Sequence, residues 1–363
     1  MTGDLRDLLP SFLPDATRAG VRSVGSEDLR AAGVQALMVN IFHLLRRPGI
    51  RVIQRCGGMH RFMDWSGPIM SDSGGFQVYS LIRQNPDYGT IRPNEVIFRD
   101  PDSGQKWQFS PERSVQMQFQ IGSDAVICLD DCTDASSSPA ELEASVERTV
   151  RWARRCKDEF ERLVGSLRGT RPTPLLIAVV QGGMNLELRT QCAHALVSIG
   201  FDGYGFGGWP ITPSGDLLVD QLASVIDSVP QGAVKHALGI GRPDHLVTAS
   251  RLGYNSFDCS LPTRDARRGR LYVYRAGFPA TLGLPAFYDN LHILDDRHIA
   301  DRGPIDPTCD CVCCTRFSRA YVQHLLKVGD ASGERLGSIH NLRFYTRLID
   351  QLRMVTSNSS ASS

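Results

Sequence analysis

The sequence predicts an α/β protein folded as a (β/α)8 TIM-type barrel, with a small C-terminal appendage. Three observations carry that reading. About eight β-then-α units fit within 363 residues, a number and length that suit a closed barrel of parallel strands. Several of the apolar runs are apolar on both alternations, as strands buried on both faces must be. Near the C-terminus four cysteines, Cys309, Cys311, Cys313 and Cys314, crowd into one short run and set that end apart from the barrel. An open doubly wound sheet is the alternative that the same alternation allows.

Expected strands occupy residues 11–14, 36–40, 68–73, 125–130, 175–181, 203–208, 236–241 and 256–261. Helix signals fall between them. Ser110-Pro111-Glu112 puts a hydroxyl at an N-cap and proline at the first helical position, and Gly122 closes that helix. Ser138-Pro139-Ala140-Glu141 is a capping box. After it Leu142, Val146, Val150, Ala153, Phe160 and Leu163 recur at helical spacing. Residues 96–110 read as a hairpin insertion around Asp100-Pro101-Asp102-Ser103-Gly104. No internal repeat is present. The chain divides into a barrel over 1–300, a subdomain with C-terminal helices over 301–352, and a Ser-rich tail over 353–363 expected to be disordered.

Hydrophobic residues make up 42% of the chain, enough for a large core. The start, Met1-Thr2-Gly3-Asp4-Leu5-Arg6, is charged, and no apolar run approaches the length of a bilayer span. Ten cysteines without a secretory leader predict a cytoplasmic protein with reduced thiols. The formal net charge of +1 excludes a polycation. Any nucleic-acid binding must rest on local charge. The candidates are the arginine-rich stretch 264–270 and, around the cysteines, Arg316, Arg319, Lys327, Arg335 and Arg343.

Cys309, Cys311 and Cys314 form a C-x-C-x-x-C run, and His340 follows at a distance. Three thiolates and one imidazole make a closed tetrahedral zinc set, with no position left for substrate. The appendage therefore reads as a structural zinc-binding subdomain. Spacing alone leaves two substitutions open: Cys313 for a neighbouring thiol, and His324, in a helical run, for His340.

Polar residues collect where the expected strands end, the end at which such barrels carry their sites. The third strand runs into Ser71-Asp72-Ser73-Gly74-Gly75-Phe76-Gln77 and the fourth into Asp130-Asp131-Cys132. The fifth ends at Gln181-Gly182-Gly183, the sixth at Gly207-Gly208 and the eighth in Phe257-Asp258-Cys259. Three strands thus deliver carboxylates to one rim. Such a set suits substitution at an anomeric carbon, where one carboxylate attacks and another moves the proton of the leaving group. A third carboxylate and a glutamine can grip a purine edge, and glycines let backbone N–H groups come close.

These motifs resemble the tRNA-guanine transglycosylase (queuine tRNA-ribosyltransferase) family from about residue 12 to about residue 352. The resemblance runs through Asn40-Ile41-Phe42-His43-Leu44, Arg47-Pro48-Gly49 and the run 71–81. It continues through Ser110-Pro111-Glu112-Arg113-Ser114, the run 257–264, Ser318-Arg319-Ala320-Tyr321, the cysteine run and Ser338-Ile339-His340-Asn341. It implies Asp258 as nucleophile and Asp72 as general acid and base. Asp130, Gln181 and the Gly208 N–H would hold the base edge, joined by Ser73 and Cys132. Phe76 and Leu238 would sandwich the ring, and Arg264 and Arg267 would bind RNA beside the target nucleotide. The resemblance favours Cys309, Cys311, Cys314 and His340 as the zinc ligands over Cys313 and His324. It implies tRNA and a free 7-deazaguanine base as partners, no redox or nucleotide cofactor, and a homodimer.

The chain departs from the family pattern at two places, and the first bears on substrate. Bacterial relatives follow the paired glycines with a small aliphatic run that reaches a glutamate. Here the chain reads Gly207-Gly208-Trp209-Pro210-Ile211-Thr212-Pro213-Ser214. That change points away from the 7-aminomethyl base and toward queuine or another 7-substituted deazaguanine. Asp131 stands where relatives often carry glutamate. Three other functions compete: deazapurine insertion into DNA, a non-catalytic RNA-binding subunit, and an unrelated zinc hydrolase on the same fold. The zinc set and the 261–264 patch favour tRNA over DNA, the three aspartates favour an enzyme over a subunit, and no HExxH motif supports the hydrolase.

Overall fold

A computed structural model describes residues 3–360 apart from 134–136, 168, 170–171, 281 and 283–285, without the side chains of 356–360. Eight strands form one sheet: β1 (Ser11–Pro14), β2 (Leu37–Asn40), β3 (Ile69–Asp72), β4 (Ala125–Ile127), β5 (Leu175–Val180), β6 (Gly203–Phe206), β7 (Val234–Ala237) and β8 (Ser256–Cys259). The sheet runs β1-β8-β7-β6-β5-β4-β3-β2 and its ladders are parallel. A parallel bridge between Asp15 and Met38 joins the two edges, with the Ala16 N–H 2.6 Å from the Met38 carbonyl. The sheet is thereby a nearly closed barrel, and the open doubly wound alternative falls.

The alternation that made the strands hard to tell from buried helix has a direct cause. One set of side chains, including Leu13, Met38, Met70, Ile127, Ile177 and Val179, fills the barrel interior. The intervening set, including Val39, Val126, Leu176, Val180 and Phe206, packs outward on the helices. Both faces are dry, so both are apolar. The expected helix starts hold. Ser110 accepts the Arg113 N–H at the head of Pro111–Ile121. Ser138 and Glu141 cap each other reciprocally at the head of Pro139–Ser166.

Three expectations need correction. The seventh segment, expected at 236–241, is shifted, because β7 begins at Val234 and ends at Ala237. Lys235 hides the start by reading as polar; its Nζ reaches out to the Gln231 carbonyl at 2.6 Å. The apolar residues after Ala237 leave the sheet, with Gly239 in a left-handed turn (φ 72°). The insertion has three antiparallel strands rather than two, Gly89–Ile91, Val96–Arg99 and Lys106–Phe109. The first is too short to show a period. The tail expected to be disordered from residue 353 is helical to Ser360, within Ala331–Ser360. Arg353 ties it down by donating to the carbonyls of Leu8 and Pro10. Residues 361–363 lie outside the described part.

An antiparallel pair, Arg270–Tyr274 with Tyr288–His292, lies within the 1–300 range expected for the barrel but packs with the appendage, whose helices include Val312–Arg316 and Arg319–Lys327. Leu271, Ile293, Ile305, Val322, Leu336 and Ile339 enclose the four cysteines. The last helix then crosses onto the barrel, where Phe344, Tyr345, Leu348 and Ile349 share a cluster with Phe12 of β1 and Phe257 of β8. One helix therefore carries both the metal-side histidine and a wall of the barrel. Among the described residues no helix is long and apolar enough to cross a membrane.

Candidate active site

The parallel register decides which strand-end side chains meet. Asn40 stands beside Asp72 on neighbouring strands. Its Nδ2 donates to Asp72 Oδ2 at 2.5 Å and to Gln77 Oε1 at 3.0 Å, while its Oδ1 caps the following helix through the His43 N–H. Burial first, and then the charge of Asp258, push Asp72 up to about 6. The two carboxylates are therefore close enough for the charge of one to act on the other. Asp258 Oδ1 accepts the Gly239 N–H at 3.0 Å and lies 3.2 Å from His236 Nε2.

Asp130 completes the acidic set. Gln181 Nε2 donates to its Oδ2 at 2.6 Å. Burial, opposed by that hydrogen bond and reinforced by the charges of Asp72 and Asp131, pushes Asp130 up to about 7. Gln181 Oε1 is buried without a partner among the described residues, a state that normally costs about 1–3 kcal/mol. A ligand N–H would relieve it. Gly207 is required beside this amide, because a Cβ there would sit 2.5 Å from Gln181 Nε2. Gly208 follows with φ 90°.

The ring-binding candidates Phe76 and Leu238 lie just after the C-terminal ends of β3 and β7. Phe76 is 37% exposed at the start of helix Gly75–Gln84. Leu238 reaches back toward Gly205 of β6, where an added Cβ would meet its Cδ1. Trp209, 49% exposed, contacts Phe76 edge-on with ring centroids 5.4 Å apart. Ser73 and Cys132 are both buried. The Ser73 hydroxyl serves the turn by accepting the Gly75 N–H, and the Cys132 thiol is pushed up by burial next to Asp130. Asp131 faces away, paired with Arg148.

Two residues that hold this site had no role in the sequence reading. His236 is a polar residue inside a strand, and only the register shows what it faces. Arg189 is fully buried in helix Leu186–Ile199. Its guanidinium donates to the carbonyls of Gly183 (2.9 Å), Val180 (3.1 Å) and Gly207 (3.0 Å) and stacks over Phe206 at 3.9 Å. Burial lowers it to about 10. It pins the ends of β5 and β6 together and so fixes Gln181 against Gly207. Arg189→Met is expected to destabilise the fold by about 2–4 kcal/mol, because three buried carbonyls lose a charged donor. Urea unfolding measures this.

Arg264 and Arg267 lie on helix Leu261–Arg267, directly after β8. Arg267 has its pKa lowered by burial and by the neighbouring charges of Arg22, Arg268 and Arg264, with Glu334 opposing. A cleft of about 480 Å3 opens beside Arg264, lined also by Ile211, Gly239, Arg242, Cys259 and Leu261 among others. The second basic group is different. Arg319, Lys327, Arg335 and Arg343 pair with Asp301, Asp296, Asp28 and Asp310, so most of its charge is neutralised within the chain.

In the appendage, Cys309, Cys311, Cys314 and His340 bring one ligand atom each within 4.8 Å of one another, all buried. Cys314 Sγ is 3.2 Å and Cys311 Sγ 3.9 Å from His340 Nδ1. His340 Nε2 lies 2.7 Å from the Tyr272 carbonyl. Donating there fixes the tautomer that leaves Nδ1 free as a ligand. The set can hold a metal ion. Cys313 is buried outside it and His324 is exposed on its helix, so neither alternative joins the group.

A parallel α/β barrel with three acidic strand ends, a buried amide acceptor and a separate Cys3His centre defines a barrel enzyme of the base-exchange class. The comparisons make the class specific. The family profile described as queuine tRNA-ribosyltransferase matches residues 8–360. A protein of that name from Psychrobacter cryohalolentis is 38% identical over 344 residues, covering 95% of this chain and 85% of the relative. Similar proteins from Pseudoalteromonas translucida and Actinobacillus pleuropneumoniae, with the same name, are 38% identical over 95% of the chain and 85% and 84% of their own lengths. The chain belongs to the queuine tRNA-ribosyltransferase family.

Proposed function

We propose that this protein is a pentosyltransferase that exchanges guanine in tRNA, at the first anticodon position, for a 7-deazaguanine base. One observation carries the reading. Asp72 at the end of β3 lies within electrostatic reach of Asp258 on β8 and of Asp130, and the Asp130 carboxylate bonded to Gln181 supplies a purine-edge reader. Asp258 attacks the ribose anomeric carbon, the bond to guanine breaks, and its electron pair leaves with the base as Asp72 supplies a proton. The incoming base gives a proton to Asp72 and displaces the Asp258 ester, which restores the glycosidic bond. Phe76 and Leu238 flank the base, and Ser73 and Cys132 shape the wall beneath it. Arg264 and Arg267 hold the flanking RNA, and the target base leaves its stack to enter. The Trp209 loop meets the substituent of the incoming base, which supports queuine over the 7-aminomethyl precursor. The Cys3His set suits a structural zinc ion. Reduced buried thiols fit a cytoplasmic protein, and the family resemblance supports a homodimer.

The test is incorporation of radiolabelled guanine into tRNA, with duplex DNA in parallel. Label in tRNA alone supports the reading. Label in DNA alone replaces it with the DNA-modifying alternative, and label in neither removes the enzyme.

The acid role of Asp72 sets a pH dependence. Its folded pKa of about 6 lies above the ordinary aspartate value, so the proton needed by the leaving base is lost as pH rises through 6. The kcat/KM for tRNA is expected to fall about tenfold per unit above that point. Asp72→Asn should remove this limb along with most activity. The same raised pKa favours the fold at low pH: its contribution is full below about 4 and lost as pH rises through 6.

A further inference from the structure

His236 is wholly buried, yet none of the roles above uses it. It lies opposite Ser256 in the β7–β8 register. Ser256 and Asp258 are two residues apart on β8 and share a face. The imidazole therefore sits between a hydroxyl and a carboxylate. Its Nδ1 is 2.9 Å from Ser256 Oγ, and its Nε2 is 3.2 Å from Asp258 Oδ1. The Nε2 contact lies off the hydrogen-bonding direction, and Nε2 has no other partner among the described residues. A hydroxyl donating to Nδ1 puts the ring hydrogen on Nε2, where it faces the carboxylate. The Gly239 N–H reaches the same oxygen from the turn after β7.

We infer that His236 is a positioning residue for Asp258, and that its Nε2–H and the Gly239 N–H together hold Oδ1. The assignment rests on the base-exchange reading above. Oδ2 is then the oxygen presented to the ribose carbon. Two fixed donors on one oxygen keep the carboxylate from rotating. They also meet the charge that returns to it when the glycosyl ester breaks. Loose alignment without substrate is usual for such contacts, which tighten when the reacting groups are in place.

The experiment compares His236→Leu, His236→Gln and Ser256→Ala with the parent protein in single-turnover guanine exchange on tRNA. Guanine affinity, zinc content and melting temperature are measured alongside. The glutamine amide can place an N–H where Nε2 stands but cannot titrate. His236→Leu is expected to lower the rate about 10- to 100-fold with guanine affinity and KM for tRNA unchanged. His236→Gln should stay within about threefold of the parent, because a donor is restored. Ser256→Ala, which frees the tautomer without touching the cavity, should fall between them and serves if the leucine variant does not fold. Parent rates in His236→Leu, or a glutamine variant as slow as leucine, overturn the positioning role. An inactive parent protein instead removes the base-exchange reading itself, so the two failures are distinct.

Discussion

Asp258→Ala is expected to abolish guanine exchange and, with it, any protein–RNA adduct that survives denaturation. The loss should be at least about a thousandfold, because in the proposed reaction this carboxylate attacks the sugar and is not one of several stabilising contacts. Asp72 cannot replace it. Asn40 holds that carboxyl from the β2 side, and its raised pKa suits a proton carrier rather than a nucleophile. The fold should be unaffected, since Asp258 is a rim residue with one backbone hydrogen bond, to Gly239. Adduct trapping with labelled tRNA, read on a denaturing gel, makes the measurement. Exchange at the parent rate in this variant would show that the nucleophile lies elsewhere.

The second large effect concerns the Cys3His centre. Purified protein is expected to hold one zinc ion per chain, and Cys311→Ala to lose it. Closed sites of this kind supply on the order of 10 kcal/mol to the unit they fold. The damage should not stay in the appendage. Asn341, next to His340, donates to the carbonyls of Pro262 and Arg270 and accepts the Tyr272 N–H. It thereby braces the helix that carries Arg264 and Arg267. The same helix continues into Phe344 and Tyr345, and Tyr345 packs on Phe12 of β1 with ring centroids 4.7 Å apart. Loss of the metal should therefore lower the melting temperature and weaken RNA binding before it touches the chemistry. Elemental analysis and thermal unfolding with and without a chelator test this. Soluble, active, zinc-free protein of unchanged stability overturns it.

The glycine-flanked acids were legible because strand ends in a parallel barrel converge whatever the details of packing. Ser71-Asp72-Ser73 and Phe257-Asp258-Cys259 could be placed at the rim from pattern alone. The cysteine run was equally legible as a metal set, since its spacing restricts the chemistry. Spacing did not separate His340 from His324; the fold brings His340 to the buried thiols and leaves His324 exposed. The boundaries of β7 were not legible, because its start carries Lys235 and its apolar continuation turns out of the sheet.

Sequence by itself determined an α/β fold of parallel strands, the acids at the strand ends and a cysteine run of metal-binding spacing, for these follow from local period and local spacing. Tertiary structure alone decided the partners: Asn40 on Asp72, His236 beside Asp258, Arg189 across the ends of β5 and β6, and Trp209 against Phe76. Each of those contacts joins residues far apart in the chain. They depend on strand register and helix rotation, which short-range patterns do not encode.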